Sequence, residues 1–372
     1  MKIAIAVTND LSTDQRVQRT VAVAQSLGME VTFIGRHLPN SVPFNPGYST
    51  LRFRLWFKKG ALFYANYNLR LFWHLLFTKY DGYIANDLDT LLAVGLASRL
   101  KGKSFIYDSH EFFTGVPEIQ HSSFIKGVWG WIEKRFYHRA LARVTVNASI
   151  ALLLQEAYGG NTPYIVRNIG MRPASVSLRS RAELGLPENA FIFINQGAGI
   201  NVERGMEEAV EAIQGVDGAV LLIVGNGDAV PSLKRYVDKN NLKEKVIFIP
   251  KMPYAELLSY TQAADVGLSL DKPTSLNYMY SLPNKLFDYI HSGLPVLGSQ
   301  VVEVKRIIEE YQVGKVVDSS RVSEIQSAME EIMQVGKTPY QGGLDKAKSE
   351  LTWESEAEVL KEVLNQLINS QK

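Results

Sequence analysis

A chain of 372 residues, 46% hydrophobic and 21% charged, is too long for one ordinary core and suits two globular domains. It has no cysteine, which excludes disulfides and thiolate metal sites and points to a reducing compartment. The net charge of +2 conceals an asymmetry: residues 1–168 hold 19 Lys+Arg against 11 Asp+Glu, and the remainder 21 against 27. The first half is therefore the one expected to face an anionic partner.

The apolar run Ile3–Val7 is too short for the core of a signal peptide and reads as a first buried strand. No stretch approaches the roughly 18 apolar residues of a membrane-spanning helix, so a cytoplasmic protein is expected. Further strands are predicted at Glu30–Gly35, Gly82–Asn86, Ser104–Asp108, Val144–Asn147 and Tyr164–Arg167. A second series follows at Phe191–Asn195, Ala219–Val224, Val246–Ile249, Val266–Leu270, Pro295–Gly298 and Val313–Val317. Helical patterns such as Asp14–Leu27, Leu88–Leu100, Arg204–Ile213 and Pro283–His291 lie between them. Strands alternating with helices argue for right-handed βαβ units and parallel sheets. The series restarts after Asn168–Pro173, a linker, so two doubly wound domains in tandem are expected, with ligands at the carboxyl ends of the strands, in the cleft between them.

A dinucleotide fingerprint is missing. The first strand–helix turn, Val7–Ser12, has no glycine, and the pairs Gly197/Gly199 and Gly225/Gly227 are followed by Val202 and Val230 where the third glycine belongs. The most informative stretch is Ser281–Val296. Pro283 suits a first helical turn, whose open N–H groups make an anion site, and Lys285 adds a mobile positive charge. Asp288 lies one turn on, within reach of a ribose diol.

This stretch resembles the nucleotide-binding segment of glycosyltransferase family 4, whose members carry an acidic residue five positions before a Gly-x-Pro; Asp288 holds that place before Gly293. The likeness covers nearly the whole chain, through Thr13–Arg19, Asn86–Leu92, Ile106–Glu111, Gln196–Gly197 with Glu203–Gly205, Gly225–Gly227 with Val246–Pro250, and Thr352–Glu354. It implies a GT-B fold, two Rossmann-like domains facing each other across a cleft. The acceptor-side domain would span residues 1–168, the nucleotide-sugar domain 169–350, and a terminal helix, 351–372, would cross back. It further implies a retaining transferase that moves a sugar from UDP or GDP to a polysaccharide or glycolipid acceptor, without metal or other cofactor.

By this resemblance Gly197, Gly199, Arg204, Gly225, Met252, Pro283, Asn284, Lys285 and Asp288 would bind the donor. His110 would meet the transferred sugar, and Asp14, Arg16 and Glu111 would contact the acceptor. Arg204 and Lys285 would stabilise the leaving diphosphate. Two positions depart from the pattern. The first acid of the family's Glu-x₇-Glu falls at Tyr280, and the first of its two diphosphate cations at Ala198, a charge that Lys285 is expected to replace. Asp87-Leu88-Asp89 spells a metal-binding Asp-x-Asp but reads as a helix start, with Asp87 as N-cap.

Between Val31 and Tyr80 there is no acidic residue, while Arg36, Arg52, Arg54, Lys58, Lys59, Arg70 and Lys79 are basic. The aromatic segments Ala61–Phe77, with its stripe of Asn66, Arg70 and His74, and Phe124–Arg143 fall in or after this region. Such a face suits an anionic membrane surface on the cytoplasmic side, or packs its apolar side on the sheet with its basic side solvated. Nucleic acid is not expected as a partner, since no recognition motif accompanies the charge. A sugar-nucleotide epimerase shares the two-domain fold but should show more acids and histidines around the cleft; a non-catalytic subunit of the same fold would instead bind a partner enzyme.

Overall fold

The computed structural model describes residues 1–115, 122–172 and 179–370. They divide into two compact units, Met1–Arg167 with Glu354–Lys372, and Asn168–Trp353. Of the expected linker, Asn168–Arg172 is described and Pro173 lies outside the described residues.

The first unit is built on a parallel sheet of β1 (Lys2–Asp10), β2 (Glu30–Arg36), β3 (Ser49–Phe53), β4 (Gly82–Asn86), β5 (Ser104–Ser109), β6 (Ala142–Thr145) and β7 (Tyr164–Ile165). Its order is β3-β2-β1-β4-β5-β6-β7. The helices are α1 (Gln15–Ser26), α2 (Gly60–Phe77), α3 (Leu88–Lys101), α4 (Ser123–Tyr137) and α5 (Ala148–Tyr158). Ile3 to Val7 of β1 are all buried, as a parallel strand covered on both faces requires. Asp14 caps α1 by accepting the Val17 N–H at 3.1 Å. Asn147, expected at the end of a strand, instead caps α5, accepting the Ile150 N–H at 2.9 Å. Gly95 lets α3 and α4 touch, since a Cβ there would lie 2.3 Å from the Phe136 ring.

In the second unit, β8 (Phe191–Gly197), β9 (Ala219–Gly225), β10 (Val246–Ile249), β11 (Val266–Ser269), β12 (Val296–Ser299) and β13 (Gly314–Val317) form a parallel sheet. Its order is β10-β9-β8-β11-β12-β13. Around it pack α6 (Met206–Ala212), α7 (Val230–Lys239), α8 (Tyr254–Ala263), α9 (Leu276–Met279), α10 (Asn284–His291), α11 (Val302–Tyr311), α12 (Val322–Val335) and α13 (Gln341–Glu350). Ile192 and Ile194 enter one core with Leu222 and Leu286, while Phe193 enters the opposite core with Leu221 and Met206. The period-2 alternation of a strand thus feeds two apolar layers.

The terminal helix α14 (Trp353–Asn369) belongs, from Glu354 on, to the first unit. Leu367 lies against Gly82, Gln366 donates to the Tyr164 hydroxyl at 2.8 Å, and Glu356 accepts the Arg167 N–H at 2.6 Å. In each sheet the chain reverses direction of winding beside its first strand, between β1 and β4 and between β8 and β11. Ligands of open α/β sheets bind at the carboxyl ends of such strands.

Candidate active site

Three charged side chains meet at the carboxyl ends of β8 and β11. Asp271, two residues beyond β11, is 1% exposed; its Oδ1 accepts from Arg204 Nη1 at 2.7 Å and its Oδ2 lies 3.8 Å from Lys285 Nζ. Lys285 also donates to Asn195 Oδ1 at 2.8 Å, and the Arg204 guanidinium stacks 4.2 Å from the Tyr278 ring centroid. Gly205 makes this possible: with φ at +73°, its absent Cβ would lie 2.1 Å from the Leu270 carbonyl oxygen.

Burial opposes the charge on all three groups, yet Lys285 and Arg204 hold the Asp271 carboxyl below its ordinary range. Burial wins at Lys285, whose ammonium is pushed down despite Asp271, whereas Asp271 raises Arg204. Two cations against one carboxylate leave a positive site. The α10 N-terminus adds to it, since Pro283 precedes the helix with no side-chain cap. Pro283 is the N-cap rather than the first helical residue, its ψ of 139° being extended.

Asp288 is buried on α10, with Oδ2 accepting from Gln196 Nε2 at 3.0 Å and Oδ1 from the Tyr254 hydroxyl at 2.6 Å. Thr261 orients the same glutamine through a 2.6 Å bond to Oε1. Gly225 is a glycine because a Cβ would lie 1.8 Å from the Gly197 carbonyl oxygen, where β8 and β9 pass closest. Gly199 and Asn284 are exposed, and Met252 is half-buried against the core.

The first unit holds a second cluster at the ends of β4 and β5. His110 donates its backbone N–H to Asp87 Oδ1 at 2.7 Å, and its Nδ1 lies 3.0 Å from Asp87 Oδ2. Its Nε2 lies 3.4 Å from Asp108 Oδ2, an ionic contact too long for a good hydrogen bond, and has no other partner. Burial disfavours the imidazolium, but the two flanking carboxylates outweigh it and raise His110 to about 10. The two carboxylates thus favour the protonated, hydrogen-bond-donating form of the ring.

The structure gives four of these residues partners that the sequence did not show. Asp87 occupies the N-cap position of α3, but its carboxylate makes no cap bond; it holds His110 instead, from a left-handed backbone with φ of 58°. Arg16, expected as an acceptor contact, is buried, donating to Asp108 Oδ1 at 2.8 Å and to the Val166 carbonyl at 2.7 Å, and so steadies the carboxylate beside His110. Asp14 is occupied as a cap and accepts from Asn9 Nδ2 at 2.9 Å. Asp89, expected as an ordinary first-turn acid, is buried with Oδ2 on the Thr8 hydroxyl and Oδ1 unpartnered. Burial and the nearby Asp87 push it up to about 8. Glu111 lines a pocket of about 420 Å³ with Asp87 and Asp89.

Asp271, Asn195, Tyr254, Thr261 and Tyr278 escaped sequence reading as site residues, while Gln196 stood only as part of a matched motif.

Residues 176–341 match the family described as Glycosyl transferases group 1. A search of curated proteins found no match. Among solved structures, the chain is similar to sucrose-phosphate synthase from Thermosynechococcus elongatus, with 17% identity, TM-score 0.78 and both chains covered in full. It is also similar to Anabaena HepE in complex with UDP and glucose, with 15% identity, TM-score 0.71, and 98% of this chain and 99% of that one covered. A third similar structure is WaaG, a glycosyltransferase involved in lipopolysaccharide biosynthesis, with 15% identity, TM-score 0.68, and 97% and 99% covered. The chain thus has the GT-B fold of two parallel-sheet units, and the match to group 1 glycosyl transferases falls within its second unit.

Proposed function

We propose that the protein is a retaining glycosyltransferase that moves a hexose from a UDP- or GDP-sugar onto a polysaccharide or glycolipid acceptor. The observation that carries this is the Arg204–Asp271–Lys285 assembly at the strand ends of the matched domain. A diphosphate is the ligand that two converging cations and an open helix N-terminus suit, with Arg204 able to bind phosphate oxygens in bidentate fashion. Asp288 and Gln196 would take the ribose hydroxyls. As the bond between the sugar and the diphosphate breaks, charge grows on the diphosphate, and the fixed cations stabilise it without reorganisation. His110, a cation at neutral pH, donates a hydrogen bond to the transferred sugar. The acceptor's proton passes to the leaving diphosphate, as a reaction on one face of the sugar requires.

A peripheral membrane location is part of the same proposal. No helix among the described residues is long and apolar enough to cross a membrane. Of the expected polar stripe of α2, Asn66 is buried, His74 shares a 3.0 Å hydrogen bond with the Tyr80 hydroxyl, and Arg70 is half-buried over the exposed Trp56 ring. Its outer stripe is apolar, with Leu62, Leu69, Trp73 and Phe77 exposed at i+7 and i+4 spacing, and α4 exposes Phe124, Val128 and Trp131. Solvent-facing aromatics beside Lys126 and Lys134 favour docking on anionic lipid over the packed alternative. Arg52 is not free for this role, lying 3.7 Å from Asp10 and donating to the Val42 carbonyl.

The test of the activity is release of free nucleotide diphosphate from a panel of UDP- and GDP-sugars, in the presence of EDTA. Release that persists under chelation supports the reading, because positive side chains take the place of a metal. Loss restored by manganese overturns its metal-free form, and no release from any donor overturns the transferase.

A further inference from the structure

Two adjoining pockets open in the first unit, the first of them sharing Asp87 with the His110 cluster. The first, about 420 Å³, lies at the ends of β1, β2 and β4 and is lined on one wall by Arg36, Lys58 and Lys59 and on the other by Asp89 and Glu111. The second, about 190 Å³, shares Arg36, Lys58 and Phe63 with it and is otherwise largely apolar, with Leu38, Leu55 and Phe57 among its walls. The N-terminus of the 18-residue α2 opens at their junction, and its N-cap Lys59 supplies no side-chain cap bond.

Three observations give this junction a ligand. Arg36 stacks on Phe63 at 4.8 Å, and its buried Nε has no hydrogen-bond partner among the described residues. Lys58 and Lys59 make no ion pair among the described residues, although carboxylates line the same pocket. Asp89, 9% exposed on the opposite wall, keeps Oδ1 unpartnered. The wall charges do not cancel, since Asp87 is matched by His110 and Asp89 holds its proton below about pH 8. A cationic helix N-terminus is thus set between a hydroxyl-accepting pocket and an apolar one.

We infer that these pockets together bind an acceptor whose sugar is joined through a phosphate to an alkyl chain. The phosphate sits on Arg36, Lys58 and the α2 N-terminus, the sugar hydroxyls face Asp89 and Glu111, and the chain lies against Leu38, Leu55 and Phe57. This deepens the proposed function by naming the acceptor class, and it rests on that reading only for the word acceptor.

The experiment titrates the full chain with octyl phosphate, glucose 1-phosphate and octyl glucoside, and separately with UDP. Octyl phosphate is expected to bind at least tenfold more tightly than either of the others. Lys58→Glu with Lys59→Glu should weaken it at least tenfold while the UDP affinity and the unfolding midpoint stay unchanged, both lysines being exposed. Octyl glucoside binding as well as octyl phosphate, or an unaffected double variant, overturns the phosphate subsite. Glucose 1-phosphate matching octyl phosphate overturns the alkyl-borne source. Failure of UDP to bind, with GDP failing likewise, would sink the proposed transferase and leave the octyl phosphate result standing on its own.

Discussion

Replacing Asp271 by Asn removes the carboxylate that faces both Arg204 and Lys285 while keeping the side chain's shape. Asp271 is 1% exposed, and its partners' side chains are 23% and 13% exposed. Breaking a buried ion pair by removing one partner typically costs about 3–5 kcal/mol, because the remaining charge stays buried and uncompensated. Arg204 keeps its stack on Tyr278 and some water, which places the cost near the lower limit, about 3 kcal/mol. For a unit of this size that is a fall of roughly 6–12 °C in Tm. A diphosphate bound to the same cations supplies the missing negative charge, so the variant should bind UDP more tightly than the wild type, by about tenfold, or about 1.4 kcal/mol. Ligand present at a hundred times its Kd contributes about 2.7 kcal/mol to native stability, so UDP should restore much of the lost midpoint. The assay is thermal unfolding with and without UDP, paired with calorimetric titration. An unchanged Tm, or UDP binding weakened tenfold, would show that Asp271 does not compete with a diphosphate for these cations.

Three further outcomes follow from the geometry. Arg204→Ala and Asp288→Ala should each weaken UDP binding by roughly ten- to a hundredfold, the cost of a charged hydrogen bond, as read by titration; wild-type affinity in both would misplace the donor site. His110→Ala should lower kcat with little change in donor KM. Because its folded pKa is raised to about 10, His110 contributes stability fully present below about pH 6.5 and lost as pH rises through about 10. NMR should find the imidazole charged at pH 8, and Asp87→Asn should bring its titration down toward neutrality; a ring titrating near 6.5 in the wild type would refute the arrangement. Trp73→Ser with Phe77→Ser should reduce co-sedimentation with anionic vesicles several-fold, and equal sedimentation with neutral and anionic vesicles would return this face to another role.

Much of the architecture was legible because strands and helices announce themselves locally. Runs such as Ile3–Val7 and Leu221–Val224, buried on both faces of a parallel sheet, have little choice but strand, and the amphipathic turns between them have little choice but helix. The strand β3 was missed for the converse reason: Ser49–Phe53 lies at a sheet edge, half-exposed and polar in part, so it carries no core signal. Local motifs likewise pointed to Arg204, Lys285, Asp288 and His110 one at a time.

What joins those residues is decided only in three dimensions. Arg204 and Lys285 are 81 positions apart, and the group that pairs both is Asp271, which no local pattern marks. Asp87 looks like a helix cap by its neighbours, yet its carboxylate goes to a residue 23 positions away. Arg16, which its motif marks only as an acceptor contact, is also the buried partner of Asp108, 92 positions on. Sequence by itself determined which residue types stood at the strand ends, since that follows from periodicity and chain order. Tertiary structure decided which charges meet, because an ion pair depends on distance and burial, and neither is carried by separation along the chain.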